Sequence, residues 1–118
     1  MLEFLGPGSF VIVKMAYFIV IHDLGPEWDH SLPMNEQKTF DEHTKFAQDL
    51  EKEHFLIMAG PIKNSSKHQI LFIVNATSEE EARTKLLQDP FQQSGVLKLL
   101  EIYSWYIFVG DLTKWCYL

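Results

Sequence analysis

The sequence predicts an α+β fold in which a four-stranded antiparallel sheet carries two helices on one face. Four runs rich in β-branched and aromatic residues alternate with two stretches of helical periodicity. The chain of 118 residues suits one domain, and its 47% hydrophobic and 22% charged residues are ordinary globular composition. Pattern and size together therefore predict a single domain that contains both kinds of element.

The first strand is predicted at residues 16–21, which read Ala-Tyr-Phe-Ile-Val-Ile. Residues 25–35 contain two prolines and are predicted to form a loop. Trp28 and His30 lie inside this loop, and loops frequently carry binding residues. Both side chains are therefore candidates for lining a site.

A helical pattern covers residues 36–54, where apolar residues recur every three or four positions, and the first helix is predicted to start near Thr39 or Asp41. One stripe of this helix contains Phe40, His43, Ala47, Leu50 and His54. Since that stripe faces the sheet, His43 should point inward rather than toward water.

The second strand is predicted at residues 55–59 and the third at residues 69–75. Gly60 and Pro61 are expected to stop the second strand. The pair is either a simple turn or a place where the backbone closely approaches a ligand.

The second helix is predicted to begin at Thr77 or Ser78 and to end at Asp89. Pro90 moves Asp89 out of helical geometry, and an aspartate opposes the negative end of the helix dipole. Phe91 is expected to anchor the following turn in the core. Asp89 is thus either a functional carboxylate held at a corner or a residue that makes a local turn hydrogen bond.

The last strand is predicted over residues 97–109 and is apolar on both faces. The order strand, helix, strand, strand, helix, strand is the ferredoxin-like split arrangement. Two helices cover one face of such a sheet, so a second copy of the chain is expected to cover the other, as a homodimer. Glu101 is placed on the strand face that carries Leu97, Leu99, Tyr103 and Trp105, and an ion pair across the dimer is favoured for it over an acid–base role.

Charge and length exclude several classes of function. The net charge of −6, with no Lys/Arg cluster, argues against nucleic-acid binding. No apolar run reaches the roughly 20 residues that span a bilayer, so no membrane contact and a cytoplasmic location are expected. The lone Cys116 excludes an internal disulfide and is interpreted as a bystander.

The sequence contains only weak indications of a metal or cofactor site. The five histidines, among them His22, lack the His-x-x-x-His spacing of a strong metal site, so metal binding is only a weak alternative. No Gly-rich phosphate loop is present, and no cofactor is predicted.

The order of several motifs resembles the YciI-like (YCII-related) family over about four-fifths of the chain. The matching motifs are Ile21-His22-Asp23, the helical His43, Ala59-Gly60-Pro61, Thr77-Ser78-Glu79-Glu80-Glu81-Ala82, and Asp89-Pro90-Phe91 with Gly95 and Trp105 after it. The resemblance assigns residues 15–110 to this domain. Residues 1–14 are then an upstream extension or expression remnant, dispensable for the core, and residues 111–118 a tail.

The resemblance implies a dimeric α+β barrel and a His–Asp pair at His43 and Asp89. Few members of the family have an assigned reaction, and one group removes chloride from a chlorinated hydroxyquinol. The proline-broken loop at residues 25–35 and the acidic Asp41-Glu42 before His43 depart from the usual pattern and leave the substrate class open.

The sequence therefore predicts a cofactor-free enzyme that performs proton transfer or elimination on a small molecule, aromatic compounds included. His43 would be the general acid or base and Asp89 would hold its ring, which requires about 2.6 to 3.2 Å between the side chains or one bridging water. Substrate contacts are predicted from Gly60, Pro61, Phe91, Trp28 and Trp105, although core or interface packing is the alternative for the tryptophans. The alternative function is a non-catalytic dimeric binding module on the same fold.

Overall fold

The computed structural model of the protein describes residues 2–6, 9–12, 15–63 and 68–110. Its helices and strands, in chain order, are β1 Leu2–Gly6, β2 Ser9–Ile12, β3 Ala16–Leu24, α1 Phe40–Lys52, β4 Leu56–Pro61, β5 Ile70–Ala76, α2 Glu79–Leu86, α3 Pro90–Gln93 and β6 Leu97–Trp105. A single 3-10 turn, Met34–Glu36, lies before α1. The predicted tail with Cys116 and residues 64–67 lie outside the described residues.

A four-stranded sheet with the order β4-β5-β3-β6 organises the domain. Every neighbouring pair in it is antiparallel, which confirms the predicted α+β, ferredoxin-like arrangement. The helices pack on one face, because β-branched and aromatic side chains at alternate strand positions point to that side. The buried core contains Phe18, Val20, Phe72, Val74, Leu86, Phe91 and Ile102.

Residues before β3 form a separate two-stranded antiparallel sheet of β1 and β2. The sequence analysis treated this segment only as an extension and did not assign strands to it. Phe4 pairs with Phe10 in the register, across the Gly-Pro-Gly stretch whose residues 7 and 8 lie outside the described residues. That this segment is dispensable for the core stays a prediction.

Helix α1 begins at Phe40, between the two predicted start positions Thr39 and Asp41, and four residues after the helical pattern begins at Glu36. The delay has a local cause, because the preceding Thr39 adopts the left-handed conformation at φ 63° and ψ 18°. A β-branched residue rarely adopts that conformation, and it breaks helical continuity with Met34–Glu36. The acidic residues of the predicted first turn are therefore divided between two elements.

The prediction that Gly60 and Pro61 stop the second strand is wrong. Both residues belong to β4, and Pro61 pairs with Ile70 of β5. Strand β4 lies at the edge of the sheet, where a proline that lacks an N–H leaves no ladder bond missing inside the sheet. A Cβ atom added to Gly60 would meet open space, so no close backbone approach requires glycine there.

The prediction that Asp89 ends the second helix is also wrong. Helix α2 ends at Leu86, and Asp89 is instead the N-cap of the short helix α3. Its carboxylate accepts a hydrogen bond from the backbone N–H of Phe91 at 2.9 Å, and Pro90 occupies the first helical position, where proline is favoured. The helix dipole therefore stabilises this carboxylate rather than opposing it.

A β-bulge in β6 changes which residues share a face. Ile21 pairs with Glu101 while His22 pairs with Leu99, so Leu100 is an extra residue in the ladder. The predicted face that joined Leu97 and Leu99 to Glu101 is therefore wrong. Leu97 and Leu99 pack against the core with Ile102, whereas Glu101 is exposed on the opposite face and accepts a hydrogen bond from Tyr103.

Two glycines bring the start of the 25–35 loop against the residues that follow α3. A Cβ atom on Gly25 would lie 2.1 Å from the carbonyl oxygen of Gly95, so only glycine fits there. The Gly25 N–H donates to the Val96 carbonyl at 2.8 Å, and the Glu27 N–H donates to Gly95 at 2.9 Å. Gly95 itself has φ +79°. This junction fixes the position of the loop beside α3.

Candidate functional site

His43 lies in the first turn of α1, and its ring points toward α3. The helix geometry begins at Thr39, whose carbonyl accepts the backbone N–H of His43 at 2.9 Å. The side chain of His43 is 13% exposed, so it is nearly enclosed but retains some access to solvent. The predicted inward direction of this histidine is the one observed.

The side chains of His43 and Asp89 meet directly. Nδ1 of His43 lies 2.8 Å from Oδ1 and 2.9 Å from Oδ2 of Asp89, whose side chain is 1% exposed. An ionised carboxylate only accepts hydrogen bonds, so Nδ1 carries the proton and donates it. In the neutral ring this leaves Nε2 with a free lone pair, which is the form that a general base requires. The distance required by the sequence analysis is thus met without a bridging water.

Helix α3 also supplies the surface on which the His43 ring rests. The ring of Phe91 stacks on it with centroids 4.0 Å apart and an angle of 9°. Phe40 contacts Phe91 from α1 with centroids 6.2 Å apart. Phe91 is completely buried, so it supports His43 from behind rather than presenting a face to a ligand.

His22 is a third polar side chain near the pair, and the sequence analysis gave it no role. It follows Val20 by two residues in β3 and therefore shares the helix-covered face, where it is 1% exposed. Among the described residues, neither ring nitrogen has a partner with hydrogen-bond geometry, although the Ile70 backbone lies close enough to act on the ring. The alternation of the strand was the signal that could have placed this side chain inside.

Burial sets the protonation state of His22. The pKa of the ring is lowered from 6.5 to about 4, chiefly by burial and in smaller part by the nearby His43. Asp89 and the Ile70 backbone act in the opposite direction but are outweighed. His22 is therefore neutral at pH 7 while lying close enough to sense both members of the pair.

Gln92 of α3 extends the polar layer toward β6. Its Oε1 accepts the backbone N–H of Leu99 at 3.2 Å, at the ladder position directly opposite His22. The bulge in β6 explains why a side chain bonds this strand N–H. The short helix thus contacts His43 on one side and the sheet beneath His22 on the other.

The 25–35 loop is closed by Gln37, a buried polar residue that the sequence analysis missed. The Gln37 side chain accepts the backbone N–H of Asp29 at 2.9 Å and donates to the carbonyls of Asp29 at 2.8 Å and Leu32 at 2.9 Å. Trp28 packs against the hydrophobic core, whereas His30 is exposed. Hydrogen bonds between the Gln37 side chain and the loop backbone therefore hold the loop in a closed conformation.

The structure does not gather every predicted substrate residue around the pair. Trp105 pairs with Tyr17 on the sheet face opposite the helices, so the sheet separates it from His43. Gly60 and Pro61 lie on β4, with β5 between them and His22. Within the described part of the chain, no three His, Cys, Asp or Glu side chains converge in a way that could hold a metal ion.

A comparison with protein families agrees with the family resemblance. A family model described as YCII-related domain matches residues 15–106. One similar solved structure is 5-chloro-2-hydroxyhydroquinone dehydrochlorinase from Burkholderia phenoliruptrix AC1100 in complex with 2,5-dihydroxybenzoquinone; it is 16% identical, with 80% of this chain and 97% of that chain covered and a TM-score of 0.46. No curated protein matches this sequence. In the described ranges, the helices are too short or too polar to cross a membrane.

Proposed function

This chain belongs to the YCII-related domain family, and from that premise we propose that it is a small cofactor-free enzyme whose His43–Asp89 pair performs acid–base chemistry on a small molecule. One observation carries the proposal. The Asp89 carboxylate, nearly inaccessible to water, bonds Nδ1 of a partly exposed His43 with both oxygens within 2.9 Å. That contact fixes the tautomer and leaves Nε2 available for reaction.

The chemistry follows from the charges in the site. Nε2 takes a proton from an acidic C–H or O–H group of the substrate, and the ring becomes an imidazolium. Asp89 stabilises this cation through the existing bond, as the acid of a hydrolase triad does. In a proton transfer the ring returns the proton to another substrate atom. In an elimination the substrate expels a leaving group together with its bonding electrons.

The neutral state of His22 supports this assignment. Because burial lowers its pKa to about 4, His22 stays uncharged near pH 7 and does not compete with His43 for the charge of Asp89. Within the described residues, no serine or threonine hydroxyl bonds to the His43 ring. Proton transfer without a covalent intermediate is therefore the reaction type that these residues favour over nucleophilic catalysis.

The test is a substrate panel measured by proton NMR in D2O. The panel contains carbonyl compounds with an acidic neighbouring C–H, substituted phenols and halogenated hydroxyquinols, and it reports deuterium uptake and halide release. The proposal expects turnover of at least one compound, lost with His43→Asn and slowed about 100-fold or more with Asp89→Asn.

The controls separate loss of chemistry from loss of folding. His30→Asn replaces an exposed histidine and should retain full turnover. Circular dichroism and melting of all variants report the fold. Turnover by folded His43→Asn at the wild-type rate would overturn the proposal, and binding of a compound without any turnover would favour the non-catalytic module.

A further inference from the structure

We propose that Thr39 is a positioning residue for His43 and Asp89, because it fastens the helix that carries one to the helix that carries the other. The inference rests on the proposed function of the pair and deepens it. Thr39 is the residue directly before α1, and its carbonyl accepts the backbone N–H of His43 at 2.9 Å. Its side chain reaches across to α3, which Asp89 caps.

The backbone of Thr39 is in an unfavourable conformation. Its φ of 63° and ψ of 18° are left-handed, and a β-branched side chain makes this region costly. Asparagine or glycine would adopt it more readily. Strained residues that persist in a fold are held by surrounding contacts, and they concentrate at functional sites.

The hydroxyl of Thr39 is not used in the ordinary way for a residue that precedes a helix. A threonine N-cap normally accepts a backbone N–H of its own helix, yet no such bond forms here. Instead the hydroxyl donates to the Pro90 carbonyl at 3.3 Å and lies 3.0 Å from Oγ of Ser94. Ser94 can donate to Thr39 while Thr39 donates to Pro90, so the bonds are mutually compatible.

These contacts touch both ends of α3. Pro90 is its first residue and Ser94 is its C-cap, and between them lies Phe91, on which the His43 ring stacks. A four-residue helix has almost no stability of its own, so its position depends on tertiary contacts. Thr39 therefore sets the separation of α1 and α3, and with it the bond between Nδ1 of His43 and Asp89.

The experiment measures that bond directly in the full chain, without a substrate. Histidines are labelled with ¹⁵N, and the imidazole N–H of His43, assigned by its loss in His43→Asn, is followed for exchange with water. Thr39→Val keeps the size and branching of the side chain but removes the hydroxyl. We expect this variant to exchange Nδ1–H about tenfold faster or more than wild type. Without the hydroxyl, the contact between α1 and α3 should open more often and expose this N–H to water.

Two variants provide the controls. Thr39→Ser retains the hydroxyl and should stay within about twofold of wild type, which is rescue by the conservative change. Ser78→Ala removes the N-cap of α2, where Ser78 accepts the Glu81 N–H, and so lowers stability away from the pair. Its exchange at His43 should remain at the wild-type rate.

Outcomes that contradict the proposal are distinct from failure of the enzyme hypothesis. If Thr39→Val melts lower but exchanges at the wild-type rate, or if Thr39→Ser exchanges as fast as Thr39→Val, Thr39 is only structural. If Thr39→Val does not fold, Ser94→Ala tests the same link from the other side with the same expectation. Absence of turnover in the substrate panel would refute the enzyme and leave this positioning role standing.

Discussion

Residue scale. His43 is held by three different kinds of contact from two elements: a carboxylate at Nδ1, an aromatic ring against its face, and the helical backbone of α1. The carboxylate fixes the tautomer of the ring, the aromatic ring limits its tilt, and the helix backbone sets its position. Asp89 is equally restricted, because its Oδ1 also accepts the Phe91 N–H. Such mutual restriction is how a fold preorganises an acid–base group before a substrate arrives.

Acid stability should depend on His22. Its pKa is lowered from 6.5 in the unfolded chain to about 4 in the fold, so unfolding takes up a proton between these values. The folded state is therefore penalised as pH falls through 6.5, by about 3 kcal/mol at pH 4 and below, and the penalty is absent above pH 7. In His22→Leu, denaturant unfolding from pH 4 to 7.5 should show a shallower loss of stability than wild type.

At pH 7 the same variant should be neutral or slightly stabilising, since it removes two buried nitrogens that lack partners. His30→Leu, which replaces an exposed histidine, should keep the wild-type acid dependence. A loss of about 2 kcal/mol or more in His22→Leu at pH 7 would mean that the ring nitrogens make a favourable bond, contrary to this expectation.

Element scale. Helix α3 is only four residues long, yet it connects every part of the site. Thr39 and His43, at the start of α1, contact α3, and the side chain of Gln92 bonds the backbone of β6. Shortly after α3, Gly95 contacts Gly25 at the start of the 25–35 loop. An element this short is ordered by its neighbours rather than by helix propensity. Substitutions at the junction of Gly25 with Gly95 should therefore alter the positions of His43 and Asp89.

Gln37→Leu tests how firmly the 25–35 loop is ordered. The change removes three hydrogen bonds to Asp29 and Leu32, so the Asp29 N–H and the Leu32 carbonyl lose the Gln37 side chain, while the Asp29 carbonyl keeps the Leu32 N–H. We expect a loss of about 2 kcal/mol in the free energy of unfolding and faster hydrogen exchange in residues 29–32. The exposed Gln88→Leu is the matched control and should change stability little. Unchanged exchange in the loop would show that other contacts order it.

Molecule scale. The sheet face opposite the helices is too apolar for a surface that stays in water. It exposes Met58 by 50%, Tyr103 by 51% and Trp105 by 37% in the single chain, beside the half-buried Ile19 and Ile21. We propose that a second copy of the chain covers this face, as contiguous apolar area of this kind is usually covered. The bulge at Leu100 contributes to it by bringing Glu101, Tyr103 and Trp105 to one side.

Light scattering at micromolar concentration should give twice the chain mass of 13.8 kDa. Tyr103→Lys places a charge in the face without disturbing the core, because Tyr103 is half exposed, and it should give the single-chain mass with an unchanged circular dichroism spectrum. Thr84→Lys, on the exposed surface of α2, should remain paired. A stable single chain of the wild-type sequence would remove the argument for pairing.

Local patterning was sufficient for the elements of the domain and their order. Dense runs of β-branched and aromatic residues identified β3 and β5, and the 3.6-residue stripe identified α1 with His43 facing inward. These properties are local, because side-chain direction follows from the backbone conformation of a few neighbouring residues. The contact between His43 and Asp89 was expected from the family resemblance, together with the inward direction of His43 and the order of the elements.

Tertiary structure decided what each residue does within those elements. Asp89 caps α3 instead of ending α2, and the bulge at Leu100 changes which residues of β6 share a face. Strand alternation could place His22 on the inner face, but only tertiary packing brings it near His43 and Asp89. Thr39 contacts residues 51 and 55 positions away. Such roles depend on distances between segments remote in sequence, and packing of the whole chain sets those distances while local periodicity does not.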